Sequence, residues 1–117
     1  MSKIETVEAE TASSLVVPNV PGTARLDPAG RMRQLDPAFL MHLGFSPDDD
    51  LVGLPFSCLW LHEARDGVET ALRAARAGIA MRRDLALDYL LGDGAGRCTA
   101  IMQQDGDGIR VTLRSAA

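Results

Sequence analysis

MRRDLALDYLLGDGAGRCTAIMQQDGDGIRVTLR, residues 81–114, holds three alternating runs separated by two glycine-rich breaks. Leu85, Leu87, Tyr89 and Leu91 alternate with Asp84, Ala86, Asp88 and Leu90. Cys98, Ala100 and Met102 alternate with Thr99 and Ile101, and Ile109, Val111 and Leu113 with Arg110, Thr112 and Arg114. A period of two is the mark of a strand with one face buried. Gly92–Gly96 and Asp105–Gly108 supply residues that turn a chain back on itself. The segment therefore predicts three antiparallel strands. Because Gly92–Gly96 lies between strands, its glycines read as a turn and not as a dinucleotide loop.

The neighbouring segment supplies the clearest helix, Glu63 to Ala77. Ala64, Val68, Ala71, Leu72 and Ala75 mark one face, while Arg65, Asp66, Glu69, Arg73 and Arg76 mark the other. Glu69 and Arg73 have i,i+4 spacing, and Gly78 stops the helix. Before it, Phe56, Cys58, Leu59, Trp60 and Leu61 form the most apolar run, which predicts burial. Asp36-Pro37 opens a shorter helix as N-cap and first residue, with Phe39, Leu40 and Leu43 inward and Gly44 at its end. Ser46-Pro47 starts another short helical turn, and Asp48, Asp49 and Asp50 read as its solvated beginning. Thr23–Leu26 and Arg31–Leu35 read as strands joined by the tight turn Asp27-Pro28-Ala29-Gly30.

Residues 1–22 differ in character. Ile4, Val7, Ala12, Leu15 and Val16 allow a short amphipathic helix, which must end before Pro18, and Pro18–Gly22 reads as a linker. The expected division is an N-terminal helix and linker at 1–22, one domain at 23–114 and a tail at 115–117. A helical middle flanked by antiparallel strands predicts an α+β fold, one five-stranded antiparallel sheet with helices packed on one face.

Bulk properties narrow the functional classes. Hydrophobic residues make up 46% of the 117 and charged residues 24%, an ordinary globular balance. The net charge is −4 and the arginines are scattered along the chain, which argues against nucleic acid. No apolar run approaches the roughly 18 residues of a membrane span, and residues 1–10 lack the layout of a signal peptide. A cytoplasmic location is expected. Cys58 and Cys98 form no CxxC pair and read as free thiols in apolar surroundings. No metal-ligating cluster stands out, since the Asp48–Asp50 run lacks the alternation of a calcium loop. There is no nucleophile elbow, phosphate loop or HExxH, so the chain is not expected to be an enzyme.

Several segments together resemble the PAS family. They are Leu26-Asp27-Pro28-Ala29-Gly30-Arg31-Met32, then Leu35-Asp36-Pro37-Ala38-Phe39, then Leu43-Gly44-Phe45-Ser46-Pro47-Asp48-Asp49-Asp50-Leu51-Val52-Gly53. PAS domains commonly carry D-x-x-G-x-I, N-x-A-F and LGY-s-x-x-E-L-x-G at this spacing. Leu61-His62-Glu63-Ala64-Arg65-Asp66 is similar to the family's H-P-x-D segment, with Ala64 in place of Pro, and Asp36 replaces the Asn of N-x-A-F. The resemblance spans residues 23–114. It implies a sensory or protein-interaction module that binds a small ligand between sheet and helices, or pairs through the outer sheet face and an N-terminal helix.

Cofactors fit poorly. The flavin-binding branch resembles G-x-N-C-R-F-L-Q, but Phe56 stands where the reactive cysteine would be and Cys58 lies two positions later. The haem-binding branch resembles a chain with a His on the long helix. Glu63–Ala77 has none, and His42 and His62 read as hydrogen-bonded or partly exposed side chains. No flavin or haem is expected. Met32, Met41, Met81 and Met102 suit either an adaptable pocket or a dry core, and the dry core is the simpler reading.

Two functions remain. The first is a signalling module that dimerises with itself or docks on a signalling protein through Ile4, Val7 and Leu15 of the N-terminal helix and Ala86, Leu90 and Ile101 of the outer sheet face. No kinase, cyclase or DNA-binding segment follows Leu113, so output is expected through a partner effector if the 117 residues are the whole protein, and through an effector beyond them if they are a piece of a longer one. The second is a small-molecule sensor whose pocket is lined by Phe39, Trp60, Leu72, Tyr89 and Met102. A buried polar group without a protein partner in that pocket would favour the second.

Overall fold

The last strand pairs with the first, and this brings the chain's two strand-forming regions together in mid-sheet. In a computed structural model that describes residues 20–92 and 96–115, the strands are β1 (Gly22–Leu26), β2 (Met32–Leu35), β3 (Met81–Ala86), β4 (Arg97–Asp105) and β5 (Gly108–Ser115). Their order is β2-β1-β5-β4-β3, and every pairing is antiparallel. The helices are α1 (Pro37–His42), α2 (His62–Arg76) and α3 (Asp88–Leu91), with a 3-10 turn over Phe56–Leu59.

Local chemistry explains the joints. Asp27 accepts from the Ala29 and Arg31 amides through its carboxylate, while its carbonyl accepts from Gly30 N–H at 2.9 Å, closing the β1–β2 turn. The Asp36 carboxylate caps α1 by accepting from Ala38 N–H at 3.2 Å, and Pro37 occupies the first turn. Asp105 and Gly108 face each other across a two-residue loop, in which Gly106 takes φ +63° as tight hairpins require.

One face of the sheet carries the core. Ala24, Leu26, Met32, Leu85, Cys98, Ala100, Met102, Ile109, Val111 and Leu113 point to one side and are buried beneath Phe39, Leu40, Phe56, Trp60, Val68, Ala71, Leu72 and Ala75. Each strand alternates, so Arg82, Asp84, Thr99, Ile101, Gln103, Arg110, Thr112 and Arg114 lie on the other face, while Met81 and Arg83 join the covered side opposite Met102 and Ala100. Helix α2 contacts β3, β4 and β5, and α1 contacts β1 and β5.

The structure corrects four local expectations. The run predicted as one strand through Leu91 stops at Ala86, and Asp88–Leu91 is a helical turn. Leu87 is buried and the Leu90 and Leu91 amides donate to its carbonyl, so the leucines follow a helix face rather than a pleat. Leu90 consequently packs beside the core and is not on the outer sheet face. Ser46–Asp50 forms a turn and not a helix, with Asp49 accepting from Ser46 N–H at 2.9 Å. Cys58 is exposed, because one turn of 3-10 helix points it away from its buried neighbours Phe56, Ser57 and Leu59. The interface residues Ile4, Val7 and Leu15 lie outside the described residues.

Gly22 is required at the first position of β1. A side chain there would overlap the Ala38 and Phe39 backbone, which α1 lays directly across the strand. Gly22→Ala is expected to lower unfolding free energy by about 3 kcal/mol. Thr23→Ala, one residue on and pointing to the opposite face, is expected to change it by less than about 1 kcal/mol. Urea unfolding followed by the fluorescence of the sole tryptophan, Trp60, measures both.

Candidate functional site

Two surfaces of the sheet are candidates, the interior beneath the helices and the outer face, which no other described residues cover. In the interior, Phe39 from α1, Trp60 from the segment before α2, Leu72 from α2 and Met102 from β4 all belong to one buried cluster. The structure therefore gathers four of the five expected pocket residues. Tyr89 lies in α3, and its side chain is outside the described residues. Phe56 joins them as an unanticipated centre: its ring lies 6.0 Å from that of Phe39 and 5.9 Å from that of Trp60, the second contact edge-on. The apolar run 56–61 carried the signal for it.

Two polar atoms in this interior lack partners among the described residues. One is the indole N–H of Trp60, a residue 1% exposed. The other is Nδ1 of His42, a fully buried residue whose Nε2 donates to the Val20 carbonyl at 2.8 Å. His42 is thus hydrogen-bonded and serves to hold the entry into β1 against α1. A buried donor without a partner costs about 1–3 kcal/mol, so the Trp60 N–H, unpaired among the described residues, marks where this interior would accommodate an acceptor.

Ser57 Oγ donates to Glu69 at 3.2 Å, and both border a small cleft of about 200 Å³ with Arg73 and Arg76. A larger cleft of about 510 Å³ lies at the turn end of the sheet, where Arg25 and Arg33 meet Asp27, Asp105 and Asp107. Among the described residues no cluster of three or more His, Cys, Asp and Glu side chains is placed to hold a metal. No helix among them is long and apolar enough to cross a membrane.

The outer face is built differently. Arginines scattered in sequence gather here through strand register: Arg25 on β1, Arg82 on β3, Arg97 on β4, and Arg110 and Arg114 on β5. Arg25 pairs with Asp105 at 3.0 Å. Arg110 donates to Gln103 at 3.1 Å, and Thr99 donates to Asp84 at 2.9 Å. Ile101, half-buried, sits between Arg82 on β3 and Thr112 on β5. Of the expected outer apolar set, Ile101 and the exposed Ala86 occupy this face.

These features define an α+β domain with one covered and one open sheet face. Among solved structures, the chain is similar to a domain of an HTR-like protein from Haloarcula marismortui, with a TM-score of 0.60 at 23% identity over 83% of this chain and 98% of that one. That likeness shows a shared fold. No family model matches the chain, and no curated protein matches it in sequence.

The interior sets a pH response. Burial pushes the Cys98 thiol up from 9.0 to about 11, aided by the Asp84 carboxylate and opposed by Arg97. Raised in the folded state, the thiol favours folding fully below pH 9 and loses that advantage as pH climbs through 11. Wild type is therefore expected to lose about 2–3 kcal/mol more stability than Cys98→Ala between those limits, read from paired urea titrations. A thiol-reactive dye at neutral pH is expected to label exposed Cys58 promptly and Cys98 only on unfolding.

Proposed function

We propose that this chain is a PAS-like signalling module that acts by binding proteins and catalyses no reaction itself. The observation that carries the reading is the open sheet face. Helices cover one side of β1, β3, β4 and β5, while among the described residues the other side leaves Ile101 half-buried and its arginine neighbours exposed. A layer exposed in this way is available to a second protein without any rearrangement of the core. The motif resemblance and the fold shared with a domain of an HTR-like protein both support a sensory or interaction domain. Self-association is assigned to Ile4, Val7 and Leu15 of the N-terminal segment, regulation to a partner effector, and the working compartment to a reducing cytoplasm that keeps Cys58 and Cys98 as free thiols.

The test is mass in solution. Light scattering of the full chain is expected to give a dimer, and removal of residues 1–19 a monomer that keeps its urea midpoint. A dimer that survives the deletion would contradict the N-terminal assignment, and a monomeric full chain would contradict self-association altogether.

A second reading is favoured by one observation, the unpartnered Trp60 N–H in the aromatic interior. A small molecule with an acceptor oxygen would satisfy it. Native mass spectrometry of the purified chain is expected to retain such a compound, and Trp60→Phe to release it. If the interior is dry, no mass is retained, and Trp60→Phe sets the removal of an unsatisfied donor against the cavity left by the smaller ring.

A further inference from the structure

The arrangement of charge on the open face identifies its partner chemistry. At the turn end, Asp27, Asp105 and Asp107 balance Arg25 and Arg33. Away from the turns the balance fails. Arg82, Arg97, Arg110 and Arg114 are exposed on the outer face, Asp84 is the carboxylate among them, and its side chain is already occupied by Thr99. Among the described residues none of these four arginines has a carboxylate within ion-pair distance. The register also sets Arg25 directly opposite Arg110 across β1 and β5. Like charges opposed in this way are unfavourable; Asp105 offsets Arg25 at 3.0 Å, which leaves Arg110 as the member of the pair without a carboxylate among the described residues. All of this occurs in a chain whose net charge is −4, so the face is positive against an acidic whole.

We propose that the outer face between Arg82, Arg97, Arg110 and Arg114 is a docking surface for an acidic protein segment with a small apolar anchor. The inference rests on reading the domain as an interaction module and adds the partner's chemistry. Guanidinium forks match carboxylates bidentately, and Ile101 at the centre, with the exposed Ala86 opposite Arg97, offers the apolar contact. A second copy presenting the same face would set arginine against arginine, which disfavours symmetric sheet-to-sheet pairing. Nucleic acid is the weaker match, because its dense phosphate charge meets the repulsion of the acidic remainder.

Fluorescence anisotropy on the full chain tests the assignment. The probe is a labelled peptide of glutamates around a single leucine, run beside a lysine version and a single-stranded oligonucleotide of similar length. The glutamate peptide is expected to bind, to weaken about 10-fold in Arg82→Gln/Arg114→Gln, and to weaken again between about 50 mM and about 300 mM salt. Arg82→Lys/Arg114→Lys, which keeps the charge and loses the bidentate fork, is expected to bind more tightly than the glutamine variant and less tightly than wild type, which separates charge from a change of fold. Equal binding by the glutamine variant overturns the proposal, as does a preference for the oligonucleotide or for the lysine peptide. A chain that ignores the glutamate peptide yet still loses its dimer on removal of residues 1–19 overturns the partner chemistry while leaving the interaction reading intact.

Discussion

The ladder between β1 and β5 is the constraint on which the molecule depends. Gly22 pairs with Leu113, Ala24 with Val111 and Leu26 with Ile109, joining residues more than 80 positions apart. Loop-closure entropy grows only slowly with length, so such a long excursion is tolerated once the ladder forms. Until then, α1 and α2 have no surface to cover. Helix α1 lies over β1 and β5, and α2 over β3, β4 and β5, so both need the assembled sheet. The close approach of α1 to Gly22 ties the first helix to this same joint. A pairing of such high sequence separation also makes slow folding the physical expectation.

With the ladder in place, the two faces separate in chemistry. The inner face is aliphatic and aromatic, with Phe39, Phe56 and Trp60 in tilted and edge-on contact within the same buried cluster as Met102, Val111 and Leu113. The outer face is polar, with its arginines partly engaged by Gln34, Gln103 and Asp105. Each strand alternates between them, so a one-residue slip in register would bury arginines and expose the core. The outer charges therefore help to specify the register as well as to shape a surface. Edge strand β3 reinforces this, since Arg82 and Asp84 alternate with half-buried Met81 and buried Leu85.

Much of this was legible because local signals agreed. Asp36-Pro37, Asp27–Gly30 and Gly78 marked their ends through capping and turn chemistry. The buried faces of β4, β5 and α2 followed from period alone. The misreading at 84–91 has a physical cause. Leu85, Leu87 and Leu91 fit one side of a pleat, Leu87, Leu90 and Leu91 fit a short helix, and so brief a leucine-rich run does not distinguish them. What decides it is β4, which begins pairing at Arg97 opposite Ala86 and so releases the chain beyond. Cys58 was misjudged for a related reason: composition reports a run as apolar but not which member a 3-10 turn points outward.

The arginine surface could not be read from the sequence, because register is a property of pairing. Arg25, Arg82, Arg97, Arg110 and Arg114 occupy four different strands and look dispersed along the chain. Strands stand about 4.8 Å apart, so pairing sets Arg25 beside Arg110 and puts Arg82, Arg97 and Arg114 on the same face around Ile101. In water the repulsion between two such charges is about 1 kcal/mol at contact and fades within a Debye length of about 8–10 Å. That cost is small enough for the fold to tolerate in the open. A partner that excludes water would strengthen every charge interaction it covers. Against like charge the change is unfavourable, and against carboxylates it is favourable. The same exposure that makes the open face cheap to maintain therefore makes it selective once it is covered.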